Sequence, residues 1–334
     1  MLCRQKKSEN VKGSVIKTTS TISFAVLALL MAGTAASAES VVRMVSGPSG
    51  GSWYPYSAKM TQMFDKQISG INSATGPGGG VGNVRDVNKN NAELGWTFGN
   101  TAYDGYNARG KFKKANTNIR FFANLYPGIL QTAVPAKSKI MSYADLGAKR
   151  LSPGKLTFSG NIAFEKLLAF YKISYAGVKK SGGVIHRVGY KDSVALMKDR
   201  HIDAFVGLTT APNSSFIALD FSPGIRFLSV SDQIASAYIK QNPGFIKATI
   251  KKGTYKGLMK DVPTIAAPTV LIINKDVPDD LAYKLAKVLW QNHGELVKVN
   301  KFWKNTSLAA ATQGAAIPIH PGALRYYKET GVAN

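Results

Sequence analysis

Short apolar runs alternate with amphipathic segments along most of the chain. Because side chains repeat every 3.6 residues on a helix and every two on a strand, this alternation predicts helices and strands in turn. The best-supported helix is 278–300, where Leu281, Leu285, Val288 and Leu289 share one face and a proline and two aspartates suit the first turn. The pattern predicts an α/β protein.

The predicted elements fall into two series, which favours two α/β lobes with largely parallel sheets. Strands are predicted at Val41–Val45, Ile71–Ala74, Glu93–Phe98, Ile119–Leu125, Leu130–Pro135, Lys155–Ser159, Val184–Tyr190, Ile202–Leu208, Ile225–Val230 and Thr264–Ile273. The other helices are predicted at Pro55–Ile68, Val81–Asn90, Ala163–Tyr171 and Lys191–Lys198 and near Gly322–Thr330.

Two extended segments, Leu130–Ala136 and Thr264–Ile273, connect the series, and each contains a proline. No low-complexity linker separates the two series. Two crossings make the first lobe discontinuous, so we expect one lobe from residues 39–134 and 265–334 and a second from 135–264.

The N-terminus has the three parts of a secretory signal. Basic residues precede the apolar run Ile22–Met31, and Ala36-Ser37-Ala38 offers small residues before a cut at Glu39. The only cysteine, Cys3, leaves with this segment, so no disulfide or Cys-ligated metal site is expected. We therefore expect residues 1–38 to be a signal peptide that is cleaved after Ala38, and the mature protein to be periplasmic.

The charge is strongly positive, with 43 Lys+Arg against 19 Asp+Glu in 334 residues. Without the five basic residues and one acidic residue of 1–38, the mature chain keeps 38 and 18, a formal charge of +20. A 45% hydrophobic share excludes a disordered basic tail. The absence of later long apolar runs excludes a multi-span membrane protein. Nucleic acid, an anionic membrane or an anionic ligand could each explain the charge, and export argues against nucleic acid.

Two glycine-rich segments each lie between a predicted strand and a predicted helix. Gly47–Gly51 fits G-x-S-x-G, which would make Ser49 a hydrolase nucleophile, but only one strand precedes it. Thr75–Asn83 lacks the residues of a Walker or dinucleotide motif. Either segment could be an ordinary tight turn. We favour a shared cleft in which backbone N–H groups and helix N-termini bind an anion.

Aromatic residues lie close to these turns, and they serve either as core or as a wall of the cleft. The four histidines, His186, His201, His293 and His320, have no metal-ligand spacing, and no paired carboxylates suggest catalysis. We expect no cofactor, no metal and no enzymatic activity.

The order and spacing of several motifs resemble the TAXI family of solute-binding proteins (TRAP-associated extracytoplasmic immunogenic). The matching stretches cover nearly the whole mature chain: Gly50–Pro55, Thr75-Gly76, Gly79–Arg85, Leu94-Gly95, Ala102–Asp104, Leu125–Pro127, Ser142–Leu146, Ile202–Phe205, Lys252–Gly257 and Asp261–Thr264. The resemblance implies a type II periplasmic-binding-protein fold with a hinged cleft between two lobes. It also implies delivery of a small carboxylate or an acidic amino acid to a membrane TRAP permease.

The chain departs from the family pattern where polar side chains are usual. Phe98-Gly99, followed by Asn100, takes the position of a Gln-Ser pair, and Gly82 replaces a glutamate. Aromatic surface replaces polar groups, so we expect a carboxylate or amino acid ligand of more apolar or aromatic character.

The hypothesis is a solute receptor that acts as a monomer and binds an anion between its lobes. Backbone N–H groups of Gly51–Trp53 and Gly79–Val81 would hold the anion, and a second lobe would close over it. The alternatives are a secreted serine hydrolase that uses Ser49 and a basic protein that binds anionic envelope polymers or membrane. The candidate ligand-binding residues are Gly51, Ser52, Trp53, Tyr54, Thr75, Gly79, Gly80, Asn83, Trp96, Phe98, Asn100, Phe158, Ser159, Asn161, Thr209, Thr210 and Pro212.

Overall fold

The computed structural model describes residues 40–333, so the predicted signal peptide at 1–38 lies outside the described residues. Ten strands of the described part form one sheet. They are β1 (Ser40–Val45), β2 (Ile71–Gly76), β3 (Leu94–Phe98), β4 (Ile119–Pro135), β5 (Arg150–Ser152), β6 (Val184–Ile185), β7 (Ala204–Thr209), β8 (Ile225–Phe227), β9 (Ile246–Ile250) and β10 (Val262–Asn274).

Helices connect most of these strands and cover the sheet. They are α1 (Trp53–Gln67), α2 (Gly80–Asn88), α3 (Gly99–Tyr106), α4 (Ser159–Ala169), α5 (Tyr175–Lys180), α6 (Tyr190–Lys198), α7 (Ser214–Phe221), α8 (Asp232–Gln241), α9 (Asp279–Gln291), α10 (His293–Val299) and α11 (Pro321–Glu329). Short 3-10 helices lie at Tyr143–Leu146, Lys301–Asn305 and Leu308–Ala310.

The sheet is parallel at its two ends and antiparallel in its middle. The strand order is β2-β1-β3-β10-β4-β7-β5-β6, with β8 paired to β4 and β9 paired to β10. Strand β1 is parallel to β2 and β3, and β5 is parallel to β6 and β7. We call β1–β3 with α1–α3 the first half and β5–β7 with α4–α7 the second half. The prediction of parallel sheets describes these two halves and not the strands between them.

The two long strands β4 and β10 join the halves. They pair with each other in antiparallel register from Ile119 with Asn274 to Ile129 with Ala266. Strand β4 continues past that region and pairs with β7, where Ala133 lies opposite Phe205. The predicted segments 119–125 and 130–135 are therefore one continuous strand. The two segments predicted to cross between the series lie in β4 and β10.

A cluster of large aromatic side chains fills the core beside α1. Trp96, Tyr56, Tyr126 and Trp303 are each less than 2% exposed. The rings of Tyr56 and Trp303 lie 4.7 Å apart, and those of Tyr56 and Trp96 lie 6.2 Å apart. Trp303 comes from near the C-terminus, so burial of these rings attaches the end of the chain to the first half.

The predicted helix 278–300 is two helices, because α9 ends at Gln291 and α10 begins at His293. The side chain of Asn292 donates a hydrogen bond to the carbonyl oxygen of Val288 at 2.8 Å, which satisfies a carbonyl group of the last turn. Asparagine side chains that bond to the backbone in this way compete with the hydrogen bonds of a continuous helix, which explains the break between α9 and α10.

Two strand predictions in the second half were wrong or too long. Residues 155–159 form a turn and the start of α4, and the strand lies earlier, at β5. Gly154 has a φ of +90°, which ends the extended backbone before residue 155. The predicted strand 184–190 is only β6, because β5 offers it just three residues to pair with.

Candidate functional site

The turn after β1 leads directly into α1. The N–H group of Gly51 donates to the carbonyl oxygen of Pro48 at 2.9 Å, and Gly50 has a φ of +84°, which glycine adopts without strain. The chain then enters α1 at Trp53. Ser49 is exposed at the tip of this turn. Within the described residues, no histidine or carboxylate hydrogen-bonds to it, so the base that a serine nucleophile needs is not there.

The turn after β2 is held by Asn83, which is fully buried. Its side-chain oxygen accepts the N–H group of Gly79 at 2.9 Å. Its side-chain nitrogen donates at 2.6 Å to the carbonyl oxygens of both Ser46 and Trp96. Asn83 therefore ties the ends of β1 and β3 to the start of α2. This candidate ligand residue has its polar atoms satisfied by the protein.

The turn after β1 contacts the second half directly. Ser52 Oγ lies 3.0 Å from Thr209 Oγ1 at the end of β7. The carbonyl oxygen of Gly50 accepts hydrogen bonds from Asn213 Nδ2 at 3.1 Å and from Ser215 Oγ at 3.0 Å. These three contacts close one side of the space between the halves.

The glycine turn before α2 makes the second set of contacts between the halves. The N–H group of Val81 donates to the carbonyl oxygen of Thr157 at 3.1 Å. Thr101 Oγ1 donates to Ser159 Oγ at 3.0 Å. A Cβ atom at Gly80 would lie only 2.3 Å from Ser159 Oγ, so this close approach requires glycine. Sequence reasoning missed Thr101 and Thr157, because their role depends on the packing of the halves.

These contacts enclose a small inner cavity. The space open to the centres of water molecules is about 20 Å³, which is enough for about one water. No charged side chain lines it. The residues around it are Pro48, Gly51, Ser52, Trp53, Gly79, Gly80, Phe98, Phe158, Ser159, Gly160, Tyr190, Leu208 and Thr209.

Four helices begin with residues that line the inner cavity: α1, α2, α4 and α6. Each contributes its first residue, which is Trp53, Gly80, Ser159 or Tyr190. Helix N-termini carry the positive end of the helix dipole, which favours an anion although no cationic side chain lines the cavity. The prediction that backbone N–H groups of the glycine turns hold the anion is wrong for Gly51, Gly79 and Val81, because each already donates to an acceptor within the protein.

The structure brings nine of the candidate ligand residues together around this cavity. They are Gly51, Ser52, Trp53, Gly79, Gly80, Phe98, Phe158, Ser159 and Thr209. Pro48, Gly160, Tyr190 and Leu208 also line it. Tyr190 was missed because residues 184–190 were predicted as a strand, whereas Tyr190 begins α6.

The other candidates do not line the inner cavity. Trp96 belongs to the buried aromatic core, where its ring stacks on Trp53 at 5.8 Å. Tyr54 points outward and is 36% exposed. Of the predicted aromatic wall of Trp53, Tyr54, Trp96 and Phe98, the structure leaves Trp53 and Phe98 at the inner cavity. Their rings lie 4.9 Å apart, and Phe158 joins them from the other half.

Four further candidates do not line the inner cavity: Thr75, Asn161, Thr210 and Pro212. Thr75 Oγ1 donates to the carbonyl oxygen of Met44 at 3.2 Å. Asn161 Oδ1 accepts from the hydroxyl of Tyr175 at 3.0 Å. Thr210 Oγ1 donates to the carbonyl oxygen of Pro212 at 2.8 Å. These bonds fix loops and helices near the site rather than a ligand-facing surface.

Comparison with known proteins identifies the family. Residues 44–331 match the NMT1-like family. The chain belongs to the NMT1-like family. Its fold is similar to that of the periplasmic binding protein BugD, with a TM-score of 0.53 at 12% identity, over 88% of this chain and 99% of that one. It is also similar to the binding protein component of an ABC phosphonate transporter from Pseudomonas aeruginosa, with a TM-score of 0.50 at 10% identity, over 80% and 81%.

These likenesses show the fold of the NMT1-like chain. It is a type II periplasmic-binding-protein fold with two α/β lobes, in which the first and second halves of the sheet are the two sides of a cleft. The inner cavity lies between these two sides.

The cleft of this NMT1-like protein widens beyond the inner cavity into two outer chambers. The nearer chamber, of about 250 Å³, shares Ser159 with the inner cavity. The farther chamber, of about 720 Å³, shares Asn100, Asp104 and Lys166 with the nearer one. Asn100, a candidate ligand residue, thus lies in the outer part of the cleft. Its side-chain oxygen is buried and has no hydrogen-bond partner among the described residues.

The outer chambers contain charged side chains that the inner cavity lacks. Burial raises the pKa of the Asp104 carboxyl, and the nearby cations Lys166 and Arg109 partly oppose that rise. Asp104 comes from the first half and Lys166 from the second. The sequence offered a signal for Asp104, which belongs to the Ala-Tyr-Asp element of the TAXI resemblance, but none for Lys166.

The raised pKa of Asp104 predicts a pH-dependent stability. A carboxyl whose folded-state pKa lies above its unfolded value stabilises the fold below that value, and this contribution is lost as the pH rises through the folded-state pKa. We expect Asp104→Asn to raise the melting temperature at about pH 7, and the gain to shrink as the pH approaches about 4. Thermal denaturation across this range measures it. Asp199→Asn, at an exposed helix end, is the control, and a gain for Asp104→Asn that is constant with pH would contradict the prediction.

In residues 40–333, no helix has the length and apolar character needed to cross a membrane. The same part of the chain holds no group of three or more His, Cys, Asp and Glu side chains that could bind a metal ion. The described site offers helix N-termini, hydroxyls, aromatic rings and the few charges of the outer chambers.

Proposed function

We propose that this NMT1-like protein is a periplasmic solute-binding receptor that holds a small organic anion between its lobes and delivers it to a membrane permease. One observation carries the proposal: four helices begin at an inner cavity that no charged side chain lines. Converging helix N-termini attract an anion through their dipoles. Because no cationic side chain lines the cavity, the dipoles and hydroxyls would hold the ligand without an ion pair. The protein in this proposal is a receptor and not an enzyme.

The proposed ligand is a carboxylate or amino acid with apolar or aromatic character. Trp53, Phe98 and Phe158 provide ring surface on both sides of the inner cavity. Ser52 and Ser159 provide hydroxyls that can donate to a carboxylate. Asp104 and Lys166 in the outer chambers supply opposite charges for any further polar group.

The proposed lobes follow from the crossing strands. Lobe 1 comprises residues 39–134 and 265–334, and lobe 2 comprises 135–264. The pairing of β4 with β10 near one lobe and with β7 near the other supports these boundaries. We further propose that residues 1–38 are removed after Ala38 and that the mature receptor is a monomer.

The proposed permease is of the TRAP type, driven by an ion gradient, because the sequence resembles the TAXI family. The structural neighbour from Pseudomonas aeruginosa is named as part of an ABC transporter, which makes an ATP-driven permease the other candidate. Uptake of the ligand by cells separates the two. Loss of uptake when an ionophore collapses the ion gradient, with ATP maintained, supports the TRAP type, whereas dependence on ATP alone contradicts it.

A ligand panel tests the receptor function. We expect some organic acids or amino acids to raise the melting temperature of the purified protein, since a ligand at 100 times its Kd adds about 2.7 kcal/mol of stability. Ser52→Ala removes a hydroxyl that lines the cavity, and we expect it to weaken binding about tenfold, the effect of roughly one hydrogen bond to a charged group. Calorimetric titration with the ligand found by the panel measures this.

Ser49→Ala is the matched control, because Ser49 lies in the same turn but is exposed and does not line the cavity. We expect its affinity to equal that of the native protein. If no organic acid or amino acid stabilises the protein, the proposed ligand class is wrong. If both serine variants lose affinity equally, the inner cavity is not the binding site.

A further inference from the structure

Three segments lie together in space at the C-terminal end of α7: residues 136–141, 221–224 and 251–261. The N–H group of Ala136 donates to the carbonyl oxygen of Gly224 at 3.0 Å. The N–H group of Gly257 donates to both carboxylate oxygens of Asp220, at 3.1 and 3.2 Å. These bonds hold the three segments side by side. We call them, with the adjoining last turn of α7, the basic tip.

The basic tip exposes large apolar side chains. Phe221 is 90% exposed, the highest value for a large apolar residue in the described part of the chain. Met141 and Met259 are each 72% exposed, and Ile217, one helical turn before Phe221, is 50% exposed. Exposed apolar side chains on adjoining segments mark a surface that contacts something apolar.

The same segments carry lysines. Residues 136–141 carry two and residues 251–261 carry four, and all six are exposed. The acids at the tip are already engaged: Asp261 pairs with Lys251 at 2.9 Å, and Asp220 accepts the N–H group of Gly257. Five lysines of the tip have no ion pair within residues 40–333. They are Lys137, Lys139, Lys252, Lys256 and Lys260.

We propose that the basic tip binds the surface of an anionic phospholipid membrane. Lysine is depleted from the cores of protein–protein interfaces, where its strongly hydrated ammonium group is costly to bury. Lysines beside an anionic membrane each contribute about 1 kcal/mol without being buried. Apolar side chains between them can then enter the headgroup region. Interleaved lysines and exposed apolar groups thus fit a lipid surface better than a protein groove.

The position of α7 relates this surface to the cleft. Ser215, in the first turn of α7, donates to the carbonyl oxygen of Gly50 in the turn after β1, and Phe221 ends the helix at the tip. Eight residues of α-helix span about 12 Å. A membrane bound at the basic tip would therefore lie about one short helix away from the wall of the cleft.

Sedimentation with lipid vesicles tests the proposal on the purified protein. We expect binding to phosphatidylcholine vesicles that contain about 30% phosphatidylglycerol, and none to pure phosphatidylcholine. Raising the salt from about 50 to 300 mM should weaken binding strongly, since the charges are exposed. The double variant Lys252→Glu/Lys256→Glu should reduce vesicle binding more than about tenfold. Phe221→Ser should reduce it about tenfold, since it removes a large apolar group.

The matched control is Lys179→Glu/Lys180→Glu, which makes the same change in net charge at exposed positions of α5. We expect this control to bind vesicles within about twofold of the native protein. Equal loss in both double variants would mean that overall charge, and not the basic tip, attracts the membrane, and would overturn the proposal. Absence of binding to phosphatidylglycerol vesicles would also overturn it and leave the tip to a protein partner. Thermal denaturation of each variant verifies that it is folded.

Discussion

Gly80→Ala is expected to weaken ligand binding by about 5- to 150-fold while the protein stays folded. The added Cβ atom would lie 2.3 Å from Ser159 Oγ, closer than real Cβ atoms come to their neighbours, and a tight 3.1 Å from Thr97 Oγ1. Ser159 belongs to the opposite side of the cleft, so the clash opposes closure rather than folding. Overpacking of this kind costs about 1–3 kcal/mol, which corresponds to the stated loss of affinity.

Two measurements check this expectation. Titration with the ligand found by the panel gives the affinity, and small-angle scattering without ligand should show a larger radius of gyration for the Gly80→Ala variant. Gly82→Ala, in the same helix as Gly80, is the matched control, because its Cβ atom would lie an ordinary 3.4 Å from Thr157 Cβ. Alanine there should raise stability by up to about 1 kcal/mol. Native affinity in both variants would show that ligand binding does not require the close approach of Gly80 to Ser159, and would contradict the prediction.

Asn83→Ala is expected to destabilise the fold by about 3 kcal/mol or more. The substitution leaves the N–H group of Gly79 and the carbonyl oxygens of Ser46 and Trp96 without the partner they have in the native protein. Each buried polar group left unsatisfied costs about 1–3 kcal/mol. Water that enters the space can recover a part of this, so the expected total is below the sum for three groups.

Denaturation by urea measures the effect of Asn83→Ala. Asn107→Ala is the control: this exposed residue ends α3 and donates only to the carbonyl oxygen of Tyr103. Its loss should change stability by no more than about 0.5 kcal/mol. A similarly small change at Asn83 would mean that the two glycine turns do not depend on this side chain.

The sequence predicted the fold best where one face of an element is buried and its pattern is regular. Strands β1, β3 and β7 and helices α1 and α6 were each predicted to within a few residues. Short or weakly patterned elements were missed. Helix α7 has apolar residues on several sides and exposes Phe221, so no amphipathic period marked it. Strand β9 exposes Ile246, contains Lys247 and is followed directly by Lys251-Lys252, which hid it.

The candidate site was predictable where its residues adjoin a glycine turn. Gly51, Ser52, Gly79 and Gly80 follow strand ends, and strand ends of one sheet meet at one edge. Contacts across the cleft could not be predicted, because they depend on how the two halves pack. The same limit applies to buried residues near the site: sequence does not tell that Asn83 binds backbone groups and that Trp96 joins the core. Asp104 and Lys166 are far apart in the sequence, so only the fold brings them into one chamber.

The place of β10 in the sheet has a consequence for the time at which the chain can fold. Strand β10 lies between β3 and β4, yet it is made last of the three, and Ile119 pairs with Asn274. Until residue 274 has been synthesised, β3 and β4 each lack a neighbour, and contacts between such distant residues form slowly. Most of the chain therefore remains without its central strand during synthesis. The proposed export of this chain would benefit from that delay, because the proposed signal could act before the sheet closes.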